Sequence, residues 1–400
     1  MAVSTVERSP WLLDSPGAVL KLFREDRTPL TKADVMQRTG LSRTAVNKRL
    51  DLLLHAGILE TADGEARTGG RPADRFQLNA RRGVVLIADT GATGMRVAIC
   101  DLRADVLREV YEVIDTTDGP ESVLGEVARV FGLLLSETGW SRDQVAGIGI
   151  DVPGPVDHAT GRVVSPPIMT GWHDYDIPAF FAADYSCPVI VEKDANAMAF
   201  GEHRLVYPTA DNLVFVKFGT GLGTGMVINR EIYRGSSGAA GDIGHIPLTM
   251  REDDDAPMCR CGNIGCVEAY ASGWALARDL RELGHSIDTV NDVADSIRAR
   301  NTDAIRLVRA ASTVIGRALS DLVNIVNPQI IAIGGQLVTP DDLLLAGVRE
   351  IVYSRSLPLA TRSLQIVRSE LDERAGVHGL ARLALDEAYS VERINVLVEG

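Results

Sequence analysis

The 400-residue sequence predicts an N-terminal winged helix-turn-helix joined to a two-lobed α/β domain. Three observations predict it. From about Ser15 to Asn79, apolar residues recur at helical spacing and are followed by two short alternating segments around glycines. From Val84 onward, apolar strand runs interleave with helices, the order of an α/β fold. The charge also divides at Gly83: residues 1–83 hold 14 Lys and Arg against 10 Asp and Glu, and the rest holds 27 against 44. A basic head on an acidic body suits DNA contact, because the body resists non-specific phosphate binding. The division gives a DNA-binding unit at 1–80 and a ligand-binding unit at 81–400. With 46% hydrophobic residues, both can bury a core.

Ser15 caps a first helix with Pro16 at its first position, and Val19, Leu20, Leu22 and Phe23 form its apolar stripe. A second helix starts at Thr31, with Ala33, Val35 and Met36 inward, and ends at Gly40. Ser42 caps a third, whose Val46, Leu50, Leu53 and Leu54 are buried, with Gly57 as its stop. Two short helices joined by a glycine turn form a helix-turn-helix, the second entering the major groove. Ser42, Arg43, Thr44, Asn47 and Lys48 lie near its start and suit phosphates and base edges. The segment ILETADGEARTGGRPADRFQLN then reads as a wing. Its Arg67, Arg71 and Arg75 flank a Gly-Gly-Arg-Pro tip shaped for a minor groove.

In the larger part, VVLIADTGATGMRVAICD contains two strands around a glycine turn, and helices follow around Pro120–Thr138. Further strands are VAGIGIDVPG, PVIVEKD, LVFVKFGTGLGTGMVIN and IIAIGG. No run approaches the roughly 18 apolar residues of a membrane helix, and MAVSTVERSP has no secretory apolar segment, so a cytoplasmic address is expected. Of five cysteines, Cys259, Cys261 and Cys266 cluster, which points to metal rather than disulfide. Cys100 and Cys187 sit in apolar contexts as core residues.

Seven segments, in order, carry a resemblance to a known family: ADTGATGMRVAICD from Ala88, VPGPVD from Val152, VEKDANAMAFGE from Val191, FGTGLGTG from Phe218, GAAGDIGH from Gly238, CRCGNIGCVE from Cys259 and IAIGG from Ile331. Together they resemble the ROK family (repressor, open reading frame, kinase) of the actin-like ATPase superfamily. The N-terminal head with its GGRP wing is similar to that of the family's repressor branch. The resemblance implies a sugar-kinase-like fold in the larger part and a homodimer or homotetramer.

His245, fourteen residues before Cys259, joins Cys259, Cys261 and Cys266 as one nitrogen and three sulfurs. That set suits a closed, structural Zn²⁺ site beside the sugar pocket. Asp89, Gly91 and Thr93 form a turn where backbone N–H groups can approach a phosphate and a carboxylate can order Mg²⁺-bound water. Kinases resembling this segment carry a second glycine and a lysine where this chain has Ala92 and Gly94, which weakens ATP binding. Gly219, Thr220 and Gly221 form a second such turn; Gly334 and Gly335 match the family's adenosine contact or serve close packing. Asp194 matches the family's catalytic base. Where the family has asparagine before it, this chain has Lys193. Its ammonium either stabilises ionised Asp194 and weakens it as a base, or pairs with a ligand phosphate, or turns to solvent. Asp242 replaces the family's glutamate, and with His245, Glu268 and Gly154 matches its sugar contacts; Trp172 lies in a loop resembling a sugar-side wall.

These features predict a repressor of sugar transport or catabolism genes, holding operator DNA and controlled by a sugar or sugar phosphate. The alternative is an ATP- and Mg²⁺-dependent sugar kinase with an accessory head, in which Asp194 would be catalytic. A kinase needs no recognition helix, whereas a sensor can lose phosphate contacts, so the repressor is the expectation and enzymatic activity is not.

Overall fold

The computed structural model describes residues 14–62, 74–248, 256–338 and 343–399. Three helices open the chain: α1 (Pro16–Glu25), α2 (Lys32–Thr39) and α3 (Arg43–His55). Ser15 caps α1 by accepting from the Ala18 N–H, and Thr31 with Asp34 forms a capping box on α2. Gly40, left-handed at φ 71°, stops α2, and the Ser42 hydroxyl caps α3. A small sheet of β1 (Leu30–Thr31), β3 (Arg75–Leu78) and β2 (Leu59–Ala62), in that order, closes the head. The brief β1 is an addition to the expected elements. Ala33 is exposed rather than inward; Val35 is the buried residue of α2, with Met36 packed partly against the same core. The wing tip with Arg67 and Arg71 lies outside the described residues.

The first lobe carries a five-stranded sheet built from β4 (Val84–Thr90), β5 (Met95–Asp101), β6 (Val106–Glu112), β7 (Val145–Val152) and β10 (Val189–Lys193). Its order is β10-β7-β4-β5-β6, with β7 parallel to both β4 and β10. Between β6 and β7 runs α4 (Pro120–Thr138). A small hairpin of β8 (Val156–Asp157) and β9 (Arg162–Val163) and the short α5 (Ile177–Phe181) precede β10. The second lobe repeats the plan with β11 (Leu213–Phe218), β12 (Leu222–Ile228), β13 (Glu231–Ile232), β14 (Ile330–Gly334) and β15 (Gln365–Arg368), in the order β13-β12-β11-β14-β15. Strand β15 interrupts a C-terminal stretch whose sequence pattern is helical.

Helix α6 (Asp194–Leu205) follows β10. The helices α7 (Val267–Ala271), α8 (Gly273–Glu282), α9 (Val290–Arg298), α10 (Thr302–Val326), α11 (Leu343–Arg355) and α12 (Pro358–Thr361) cover the second sheet. The chain ends with α13 (Ala375–Ala388) and α14 (Val391–Glu399).

Two helix contacts tie the site to the head. Helices α6 and α13 press backbone to backbone: a Cβ built on Gly379 would overlap the Ala197 carbonyl oxygen and lie 2.7 Å from its carbon. At the other end, one apolar core runs from Val19, Leu20, Leu50 and Phe76 of the head into Val377, Leu380, Leu385 and Ile394 of α13 and α14. The Gly17 N–H donates to Asn395 Oδ1 at 2.9 Å, and Arg24 forms an ion pair with Asp386. The head is therefore packed onto the C-terminal helices, not hung on a linker.

Candidate functional site

The cleft lies at the carboxyl ends of the central strands, where open α/β sheets leave a crevice for ligands. Asp89 closes β4, Asp151 closes β7, Lys193 ends β10, Asp194 begins α6, and Lys217 stands near the end of β11. Asp89 and Asp151 are register partners across the parallel pair β4–β7. Lys217 faces Gly223 on one side and Gly334 on the other, so neither ladder neighbour crowds its stem.

The centre of this cleft is a buried charge cluster. Lys217 Nζ pairs with Asp194 Oδ2, while Asp194 Oδ1 accepts the Ala195 N–H at 2.6 Å. Asp151 Oδ1 accepts the Thr90 N–H at 2.7 Å, and its buried Oδ2 has no hydrogen-bond partner among the described residues. Burial raises Asp89 and Asp151 above the carboxylate range; the charge of Asp194 adds to both and that of Asp89 to Asp151, while Lys217 opposes both and a hydrogen bond with Asp151 opposes the rise of Asp89. Burial alone would lower Lys217, but Asp194, Asp89 and Asp151 outweigh it and hold the ammonium charged.

The sugar-side residues expected from the sequence come together. Gly154, Lys193, Asp194, Asp242, His245 and Glu268 all line this one cavity. Lys193 Nζ binds Asp242 Oδ1 at 2.9 Å, so the two departures from the family pattern answer each other. The lysine turns neither to solvent nor first to Asp194; the partner of Asp194 is Lys217, a residue that no motif in the sequence singles out. Glu268 accepts from the Leu222 N–H at 3.0 Å and from Trp274 Nε1 at 3.3 Å. Trp172 is instead fully buried in the first-lobe core, its Nε1 donating to Thr116 O at 2.9 Å. Of the phosphate-turn residues, Asp89, Gly91, Gly219, Thr220, Gly221 and Gly335 line the cavity. Thr93 and Gly334 are not part of its wall; Gly334 lies against Phe215 and Ser369, where a Cβ would come within 2.8 and 2.9 Å, so close packing accounts for that glycine. A side chain at Gly94 would overlap the Tyr111 hydroxyl, and the Tyr111 ring is itself held under Arg96 at 5.2 Å.

Beside the cavity, one ligand atom each from His245, Cys259, Cys261 and Cys266 falls within 4.8 Å of all the others. Cys259 Sγ lies 3.7 Å from His245 Nδ1, and Cys261 Sγ 3.7 Å from Cys266 Sγ. Thiolates about 2.3 Å from a tetrahedral ion stand about 3.8 Å apart, so these two pairs are already at the spacing of ligands around one metal. Burial and the neighbouring thiols push Cys266 up to about 12, a cost that a divalent cation relieves.

In the head, Ser42, Arg43, Thr44 and Lys48 are exposed along the start of α3. Asn47 is not: it is half-buried, with Oδ1 enclosed, because it falls on the flank of the Val46 and Leu50 stripe. Arg75 is exposed at the start of β3, at the base of the wing. Arg49, outside the expected DNA-facing set, fixes the N-terminal end of α3 by donating to Asp14 O at 2.7 Å and Ala45 O at 2.9 Å.

Comparison with known proteins places these parts. A model described as the ROK family matches residues 85–387, and one described as the IclR helix-turn-helix domain matches residues 17–63. A xylose repressor from Bacillus subtilis is 27% identical over 363 residues, covering 90% of this chain and 92% of that protein. A glucokinase from Halalkalibacterium halodurans is 29% identical over 322 residues, covering 77% of this chain and 96% of the enzyme. Among solved structures, a ROK family transcriptional regulator described as a homolog of the E. coli MLC protein shares the fold with a TM-score of 0.81 at 24% identity, covering 98% of this chain and all of that one.

Proposed function

We propose, from the premise that the chain belongs to the ROK family and carries a helix-turn-helix head, that it is a DNA-binding repressor of sugar transport or catabolism genes, controlled by a sugar in the cleft. The similarity to a xylose repressor covers 90% of this chain, against 77% for the glucokinase, and a helix-turn-helix model matches residues 17–63. One structural observation carries the reading: α13 starts against the pocket and ends against the head. A Cβ at Gly376, in its first turn, would overlap the Asp89 carboxylate, and Tyr389 O, just past its last turn, accepts from Arg24 Nη1 of α1 at 3.5 Å. Helix α6, which begins with Asp194, is locked to α13 through Gly201 and Gly379. A ligand that shifts Asp194 or Asp89 therefore moves a helix on which the head is seated.

In this reading residues 1–80 hold operator DNA through Ser42, Arg43, Thr44, Lys48 and Arg75, with Asn47 steadying the helix from its flank. Residues 81–400 hold the sugar and the oligomer contacts. A homodimer presents two recognition helices to half-sites about one helical turn apart, so a modest tilt of α13 breaks their spacing. Zinc is the metal that the histidine and three cysteines suit, and its role is structural, because four protein ligands leave no open position. It pins the His245 segment at the sugar wall. Among the described residues no helix is long and apolar enough to cross a membrane, and a cytoplasmic address suits a DNA-bound regulator. Kinase activity is not part of the proposal: both Asp194 oxygens are engaged, one by a fixed ammonium and one by a backbone N–H.

The test is fluorescence anisotropy with labelled fragments of the DNA upstream of sugar-uptake operons, with a panel of sugars and sugar phosphates added. Binding to an inverted repeat and release by one sugar support the reading; failure to bind any fragment overturns it.

A further inference from the structure

The carboxylates of Asp194, Asp89 and Asp151 all act on one point, the position of the Lys217 ammonium, and carboxylate oxygens are donors that Mg²⁺ or Mn²⁺ prefers. In this chain the point is taken. Lys217 reaches it from β11 along a path left clear by Gly223 and Gly334, and its ammonium pairs with Asp194 Oδ2 under the charge of the other two carboxylates. The residues present therefore do not fit the metal–nucleotide that the fold's kinases use. A separate feature of the first lobe agrees. Tyr111, stacked under Arg96, which also pairs with Glu373, lies on Gly94 at the opening of β5, where a phosphate turn needs room.

We propose that Lys217 is a tethered counterion that replaces a divalent cation, so that the cleft admits its sugar without metal and without nucleotide. Of the other cations lining the cleft, Lys193 is paired with Asp242 and Arg96 with Glu109 and Glu373, whereas Arg260 lies over the Trp274 ring. The proposal rests on the sugar cleft described above but not on DNA binding, and its failure would leave the operator experiment untouched.

The probe is Mn²⁺ alone, followed by electron paramagnetic resonance on the full-length, zinc-saturated protein. Wild type is expected to show no saturable Mn²⁺ site in the cleft. Lys217→Met, which keeps the stem and removes the charge, is expected to gain one site with affinity raised at least about tenfold. Adding Asp194→Asn to that variant should abolish it. A wild-type site that Asp194→Asn removes would overturn the proposal, and that measurement needs no Lys217 variant to fold. So would a Lys217→Met or Lys217→Gln protein with native near-ultraviolet dichroism and no gain of Mn²⁺ binding.

Discussion

Replacing Gly379 with alanine sets two effects of opposite sign against each other. Helix propensity alone favours the substitution by up to about 1 kcal/mol, since Gly379 lies inside α13. The close approach of α6 opposes it: the new Cβ would lie 2.7 Å from the Ala197 carbon and 3.0 Å from the Gly201 nitrogen, both backbone atoms that no rotamer change can move aside. Carbon atoms pack at about 3.5–4.0 Å, so the helices must part by about 1 Å. Overpacking of this kind costs about 1–3 kcal/mol, which after the full propensity gain leaves a net loss of up to about 2 kcal/mol. The control is Gly125→Ala in α4, where an added Cβ meets nothing within 4 Å and propensity acts unopposed. Urea unfolding of the three proteins measures both. The expected result is a lowered midpoint for Gly379→Ala, a raised one for Gly125→Ala, and a weakened effect of sugar on DNA affinity only in the first. A Gly379→Ala protein as stable as Gly125→Ala, with undiminished sugar response, would refute the close approach and the coupling built on it.

Cys261→Ser should lose the metal and soften the wall around His245; metal analysis that finds no zinc in the intact protein would remove the site. Arg43→Ala and Lys48→Ala should weaken operator binding and flatten its salt dependence, by about 0.9 in the log–log slope for each phosphate left without its cation; an unchanged slope would take α3 off the DNA. Asp151→Asn is a test of pH linkage. Asp89 and Asp151 have folded-state values above their unfolded ones, so the native state holds the extra protons and stability falls as pH rises from the ordinary carboxylate range through the raised values. Asn keeps an acceptor for the Thr90 N–H and cannot ionise, so the fall in stability as pH rises above the ordinary carboxylate range should shrink; a melting-temperature profile parallel to wild type would contradict the assignment.

Much of this molecule is legible in its sequence. Caps such as Ser15, Thr31 and Ser42 act within a few residues, so local chemistry places the head helices. Glycine-punctuated segments locate the cleft for the same reason. What escapes is set by distant partners. The partner of Lys193 is 49 residues away on another lobe, and its ion pair with Asp242 reverses the simplest reading of a lysine beside an aspartate. Lys217 does leave a signal, a lone charge inside LVFVKF, a strand otherwise apolar and buried. Asp151 leaves the same signal in GIGIDV. Strand β15 escapes because only four residues at the sheet edge form it. The seating of the head on α13 and α14 joins residues more than 350 positions apart, a link that no local pattern carries.

The measurement that bears most directly on the central claim is operator binding by the full-length protein, titrated with sugars in buffer free of nucleotide and Mg²⁺. The account predicts tight, salt-dependent binding to an inverted repeat and its release by one sugar under those conditions. Absence of DNA binding, together with ATP consumption when a hexose and Mg²⁺ are supplied, would contradict it.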